Sequence, residues 1–167
     1  ILHFFLYFLV ASTMLSSEKW FEAFWNTSIG ASVLMCFYAL WQLTGHATIN
    51  QGGVRVDGKF GNAIYLAVYL FFHIFLCLLF MYRRKNELWK VCVYGAVFLL
   101  ESIVLYYTAT RGAILGLGLG LLVSAALIAW KERENEMLRK TAIGVLAAVV
   151  LIAGFFLAVK NTSFVKN

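Results

Sequence analysis

Arg55 and Lys59 stand in a polar, glycine-punctuated stretch, Val54-Arg-Val-Asp-Gly-Lys-Phe-Gly-Asn62, and Arg111 sits in a second, shorter one, Thr108-Ala-Thr-Arg-Gly112. Both lie between long apolar segments. An arginine forks onto two phosphate oxygens at once, whereas a lysine supplies a point charge. Gly58, Gly61 and Gly112 let backbone approach a ligand closely. The helices expected to start near Gly61 and at Gly112 present unpaired N–H groups and a partial positive charge, where anions bind. These residues suit a diphosphate held at a membrane surface, with Arg55, Lys59 and Arg111 as its cations. They equally suit interfacial arginines that meet lipid headgroups, and the residues alone leave both readings open.

The elements that must position them follow from composition. The chain is 62% hydrophobic and 13% charged, and it has no proline. Its helical stretches are apolar all round, where a soluble helix would keep a polar face. Spanning segments must satisfy their own backbone, as helices or as a closed barrel. The alternation of barrel strands is absent. The fold class is therefore all-α, a polytopic helical membrane protein with about six transmembrane helices.

Apolar length places the spans near 1–15, 27–43, 61–82, 91–107, 112–130 and 141–159. The longest polar loop covers 44–60, and charged connectors cover 16–26, 83–90 and 131–140. The chain opens mid-span at Ile1 without an initiator methionine, so it reads as a single transmembrane domain (1–167) cut from a larger protein. Connectors 16–26, 83–90 and 131–140 hold nine of the 14 lysines and arginines. The positive-inside rule puts them in the cytoplasm and both arginine loops on the outer face. The same clustering accounts for the net charge of +6 without nucleic acid.

Cys36, Cys77 and Cys92 fall inside expected spans and read as small packing residues. Gly112, Gly116 and Gly120, with Gly118 between, read as a face for close helix packing. Glu132, Glu134 and Glu136 read as part of a solvated turn, and Asn161 opens a weak glycosylation sequon. His73 lies about 18 Å below Gly61 and Glu101 about 15 Å below Arg111, by helical rise. At similar depth in an antiparallel hairpin they are expected to share a hydrogen bond. A proton pathway or an acceptor-side role is the other reading of the pair.

Arg55-Val-Asp-Gly-Lys-Phe-Gly-Asn62, running into residues 63–70, resembles the R-x-x-G-x-F-G-N loop-to-helix segment of the O-antigen ligase-like superfamily. Tyr107-Thr-Ala-Thr-Arg-Gly-Ala113 resembles that family's (S/T)RG helix start, and a glycine-rich span follows it. The resemblance covers roughly residues 25–130. Ala63 stands where many members have proline, a departure that mainly affects the turn. The superfamily includes lipopolysaccharide O-antigen ligases, O-antigen polymerases and protein O-oligosaccharyltransferases.

This resemblance implies a GT-C-like bundle, larger than these spans, in the bacterial cytoplasmic (inner) membrane with its active face outward. It implies a glycosyltransferase that moves a glycan from a polyprenyl diphosphate carrier to lipid A-core, a growing polysaccharide or a protein. Arg55 and Arg111 become the catalytic cations, which stabilise the departing lipid diphosphate. The diphosphate contacts become Arg55, Lys59, Gly61, Asn62, Arg111 and Gly112. Fixed cations stand in for a metal, so no metal or other cofactor is expected. The family's acceptor-activating histidine lies in a large outer loop beyond the matched region, with His46 as a lesser candidate here. The alternative is a non-enzymatic membrane module, a transporter or sensor segment, which would work through His73 and Glu101.

Overall fold

The computed structural model describes residues 2–50, 53–131 and 144. The regular elements among them are all helical: α1 (Leu2–Met14), α2 (Glu18–Leu43), α3 (Ala63–Arg83), α4 (Leu88–Tyr107) and α5 (Arg111–Lys131). The α2, α3 and α4 helices are long and apolar enough to cross a membrane. The apolar helix Leu2–Met14 is shorter. The expected span 141–159, the connector beyond Lys131 and Asn161 lie outside the described residues, apart from residue 144. The chain divides into two compact units, Ile1–Ala113 and Ile114–Asn167. The arginine loops and α1 to α4 belong to the first unit, and α5 begins at its end.

The segment 16–26, expected as a connector, is helical from Glu18 onward. Nothing between Glu18 and Asn26 breaks a helix, and Ser17 takes the extended conformation of a cap, φ −81 and ψ 128. The charges that read as a loop are instead anchored on the α3–α4 turn. Glu18 pairs with Arg83 at 2.5 Å, and Glu22 pairs with Arg84. Arg84 also meets Glu87 at 3.1 Å, and Lys90 meets Glu87 at 2.6 Å. The charged segments 16–26 and 83–90 therefore occupy one end of this unit.

The α3 and α4 helices pack together and α2 lies against both. Each contributes a stripe at helical spacing. On α2 the buried positions are Ile29, Ser32, Cys36, Ala39 and Gln42. On α3 they include Leu66, Ala67, Leu70, Ile74, Cys77 and Phe80. On α4 they are Glu101, Val104 and Leu105. Near the charged end, Phe80 stacks on Tyr94 with centroids 5.4 Å apart, over a cluster that includes Ile29 and Cys77. Large apolar side chains such as Leu34, Phe37, Phe72, Leu99 and Ile103 point outward and stay exposed. In water such a surface would drive association, whereas in a bilayer it faces lipid.

Candidate functional site

Opposite the charged end, residues 44–50 and 53–62 close the bundle, and one buried amide organises them. Gln42, the last buried residue of α2, accepts from the Asp57 amide at 3.2 Å and the Gly58 amide at 2.9 Å through Oε1. Its Nε2 donates to Asp57 Oδ1 at 2.6 Å and to the Thr48 carbonyl at 2.8 Å. Asp57 Oδ2 accepts from the Asn50 amide at 3.0 Å and from Asn50 Nδ2 at 2.8 Å. Asp57 is fully buried. Burial pushes its carboxyl up, and the hydrogen bonds from Gln42 and Asn50 outweigh it, so it titrates below its ordinary value. Asp57 is the sole acid in 44–62. That charge is turned inward and held ionised by amide donors, while Lys59 is exposed and Arg55 is half-buried.

Gly58 takes φ +58 and packs so closely that an added Cβ would lie 2.8 Å from Met35 Sδ. Glycine avoids both the backbone strain and the contact with Met35. Gly61 takes φ +69 and turns the chain into α3, with open space beside it among the described residues. Asn62 then caps α3, in extended conformation, by accepting the Ile64 amide at 2.8 Å. Its carbonyl oxygen serves the helix start, a role more local than the ligand contact expected of it.

Arg55, half-buried, donates from Nε to the Thr108 carbonyl at 3.3 Å. Beside it the Val56 amide donates to the Tyr107 carbonyl at 3.2 Å. The first arginine loop is thus tied to the turn between α4 and α5, three residues ahead of Arg111. That turn is tight. Thr108 is buried and donates its hydroxyl to the Leu105 carbonyl at 2.7 Å. Ala109 takes φ +50, in the left-handed region that non-glycine residues seldom visit. Arg111 and Gly112 open α5 and are exposed. With Nε engaged, both terminal nitrogens of the Arg55 fork are without a hydrogen-bond partner among the described residues. Lys59 is exposed, its ammonium 4.4 Å from the Tyr38 ring centroid.

His46, the other residue considered as a base, is exposed and bonded through Nδ1 to Thr44 Oγ1 at 2.8 Å. Its ring sits edge-on to Trp41 at 6.4 Å. It belongs to the 44–50 arm of the loop.

His73 and Glu101 do not share the hydrogen bond expected of them. His73 Nδ1 donates to the Tyr69 carbonyl at 2.8 Å, and Nε2 meets Ser28 Oγ at 2.9 Å. Glu101 Oε1 meets Ser32 Oγ at 2.5 Å, and Oε2 accepts from Cys77 Sγ at 3.7 Å. Depth alone put the two residues level. The face of α2 that carries Ser28 and Ser32, one turn apart, gives each of them its own partner. The cysteines are free, with Cys36 and Cys77 buried as expected and Cys92 exposed.

Sequence reasoning gave no role to Gln42, Asp57, Met35 or Thr108. A lone acid inside a cationic loop was the one visible signal, and it pointed to Asp57.

The described fold defines an all-helical protein with three helices long and apolar enough to cross a membrane. No family model matches the chain, and no curated protein or solved structure matches it.

Proposed function

We propose that this chain belongs to a membrane glycosyltransferase of the O-antigen ligase-like type. It takes a glycan from a polyprenyl diphosphate carrier and passes it to an acceptor at the outer face of the bacterial cytoplasmic membrane. The observation that supports this most is the tie between Arg55 and Thr108. It joins two arginine stretches, far apart in sequence, whose motifs resemble that family. In this reading the chain supplies about six spans of a larger GT-C-like bundle. Membrane lipids surround its exposed apolar faces.

In the reaction, the acceptor hydroxyl attacks the anomeric carbon as the bond from that carbon to the diphosphate oxygen breaks. The bonding pair leaves with the lipid diphosphate, and Arg55 and Arg111 stabilise the charge that builds there. Fixed cations at a site with little water do this with no reorganisation during the reaction. The acceptor's proton leaves to a base outside the loops described above. Gly61 and Gly112 keep backbone close to the ligand, while Asn62 sets the α3 terminus that faces it.

The alternative, a transporter or sensor segment, would work through His73 and Glu101. Their separate serine partners leave no hydrogen bond between them among the described residues, so the shared path that this alternative needs is not in place.

The test supplies the purified full-length protein with one glycan on three carriers: polyprenyl diphosphate, polyprenyl monophosphate and a nucleotide. The proposal expects product and free lipid diphosphate from the first carrier alone. Transfer from either of the others, or from none, contradicts it.

A further inference from the structure

Beside the cationic loop lies an open groove of about 480 Å³, lined by Tyr38, Trp41, His46, Ala47 and Thr48. We infer that this groove holds the sugar next to the diphosphate of the lipid-linked donor. The inference rests on the donor reading above and names a subsite for it.

Three observations carry the assignment. The first is composition. A pyranose has one face of C–H groups and a rim of hydroxyls. Trp41 is 59% exposed and offers an indole to the C–H face. Thr48, His46 and the Tyr38 phenol offer hydroxyl and imidazole partners to the rim. An acyl chain would leave those polar groups unmatched.

The second is continuity with the cations. Tyr38 lines the groove, and the Lys59 ammonium lies over the same ring at 4.4 Å. A ligand with its phosphate on Lys59 would therefore have its adjoining sugar at Tyr38 and Trp41. The third is support. Thr44 holds the His46 imidazole through Nδ1 and leaves Nε2 for a hydroxyl. Thr48 is placed through its carbonyl by Gln42, the residue that also sets Asp57 and Gly58. One buried amide thus positions both the groove wall and the cationic loop.

The experiment measures binding to the full-length protein in nanodiscs. The probes are bare polyprenyl diphosphate and the same carrier bearing N-acetylglucosamine or galactose. In wild type, at least one sugar-bearing carrier should bind about tenfold more tightly than the bare carrier, the scale of one aromatic contact. Trp41→Ala should erase that difference, and Trp41→Tyr should keep part of it. Lys59→Ala should weaken bare and sugar-bearing carriers alike. Wild type that binds bare carrier and gains nothing from either sugar overturns the groove and leaves the donor reading standing. So does a preference that survives Trp41→Ala, which would make Trp41 an interfacial anchor. Wild type that binds no carrier overturns the donor reading, and the subsite falls with it.

Discussion

Arg55 donates from Nε to the backbone carbonyl of Thr108 at 3.3 Å, across 53 residues of sequence. A backbone acceptor does not depend on the Thr108 side chain, so the contact fixes where the first loop sits relative to the second. The Val56 amide repeats the tie one residue on, at the Tyr107 carbonyl. Arg55 thereby serves the fold through Nε, and among the described residues its terminal nitrogens have no hydrogen-bond partner. The loop that carries it depends in turn on Gln42 and Asp57.

Asp57→Asn is expected to loosen this loop. The new amide nitrogen would face either the Gln42 Nε2 donor or the two donors from Asn50, and a buried donor left unmatched costs roughly 1–3 kcal/mol. Limited proteolysis between residues 53 and 60 should become faster than in wild type. Acid should act in the same direction. Asp57 titrates below its ordinary 3.8 in the folded protein. Its stabilisation is therefore full above that value and is lost as pH falls through the lower folded value. The loop should stay protected from neutral pH down to about pH 4 and open below it, whereas Asp57→Asn should abolish that acid step.

Gly58→Ala should destabilise the protein more than Gly61→Ala. Both need a left-handed backbone, which costs alanine about 1–2 kcal/mol. Of the two, Gly58 would also drive a Cβ to 2.8 Å from Met35 Sδ, while Gly61 meets nothing within 4 Å among the described residues. Met35→Ala should recover the steric part of the Gly58→Ala loss and leave the backbone part. Thermal unfolding in detergent of Gly58→Ala, Gly61→Ala, Met35→Ala and the Gly58→Ala/Met35→Ala double variant checks the order. Equal losses at the two glycines would contradict the packing described for Gly58.

Much of this architecture is legible in the sequence, because apolar length and helix-start chemistry are local. Asn62 caps α3 one residue after the glycine that turns the chain, and Arg111 opens α5. What stayed hidden is set by azimuth and by distant partners. Glu18, Lys19 and Glu22 read as a connector because their charges suit water. They form the first turns of α2, where the two glutamates find Arg83 and Arg84. Gln42 reads as an ordinary polar end to an apolar span, since nothing in residues 40–44 reveals that Asp57 will meet it. Helical rise gives the depth of His73 and Glu101, and which neighbour each one faces needs the third helix.

Double-mutant cycles should separate those partners. Ser32→Ala with Glu101→Leu should show a coupling of about 0.6–2 kcal/mol, the range for hydrogen bonds between membrane helices. His73→Ala with Glu101→Leu should show a clearly smaller one, because each residue bonds elsewhere. Stability against denaturing detergent reads both. A His73–Glu101 coupling larger than the Ser32–Glu101 coupling would reverse the assignment.

At the charged end, Arg84→Glu should lower thermal stability by setting like charges against Glu22 and Glu87. Adding Glu22→Arg should restore part of the loss by reversing the pair. High salt should narrow the gap between wild type and variant, since exposed ion pairs are screened. A double variant no better than Arg84→Glu alone would mean that α2 is not held here by charge.

The most direct test of the central claim is glycan transfer from a polyprenyl diphosphate donor by Arg55→Lys and Arg111→Lys beside wild type, after normal insertion and expression are shown. Lysine keeps the charge and loses the fork, and at Arg55 it also loses the Nε bond to Thr108. Each variant should lose transfer by about 100-fold or more, the scale for removing one fixed donor from a developing anion. If both variants transfer at the wild-type rate, the two arginines only anchor the protein at the interface, and the diphosphate site assigned to them is wrong.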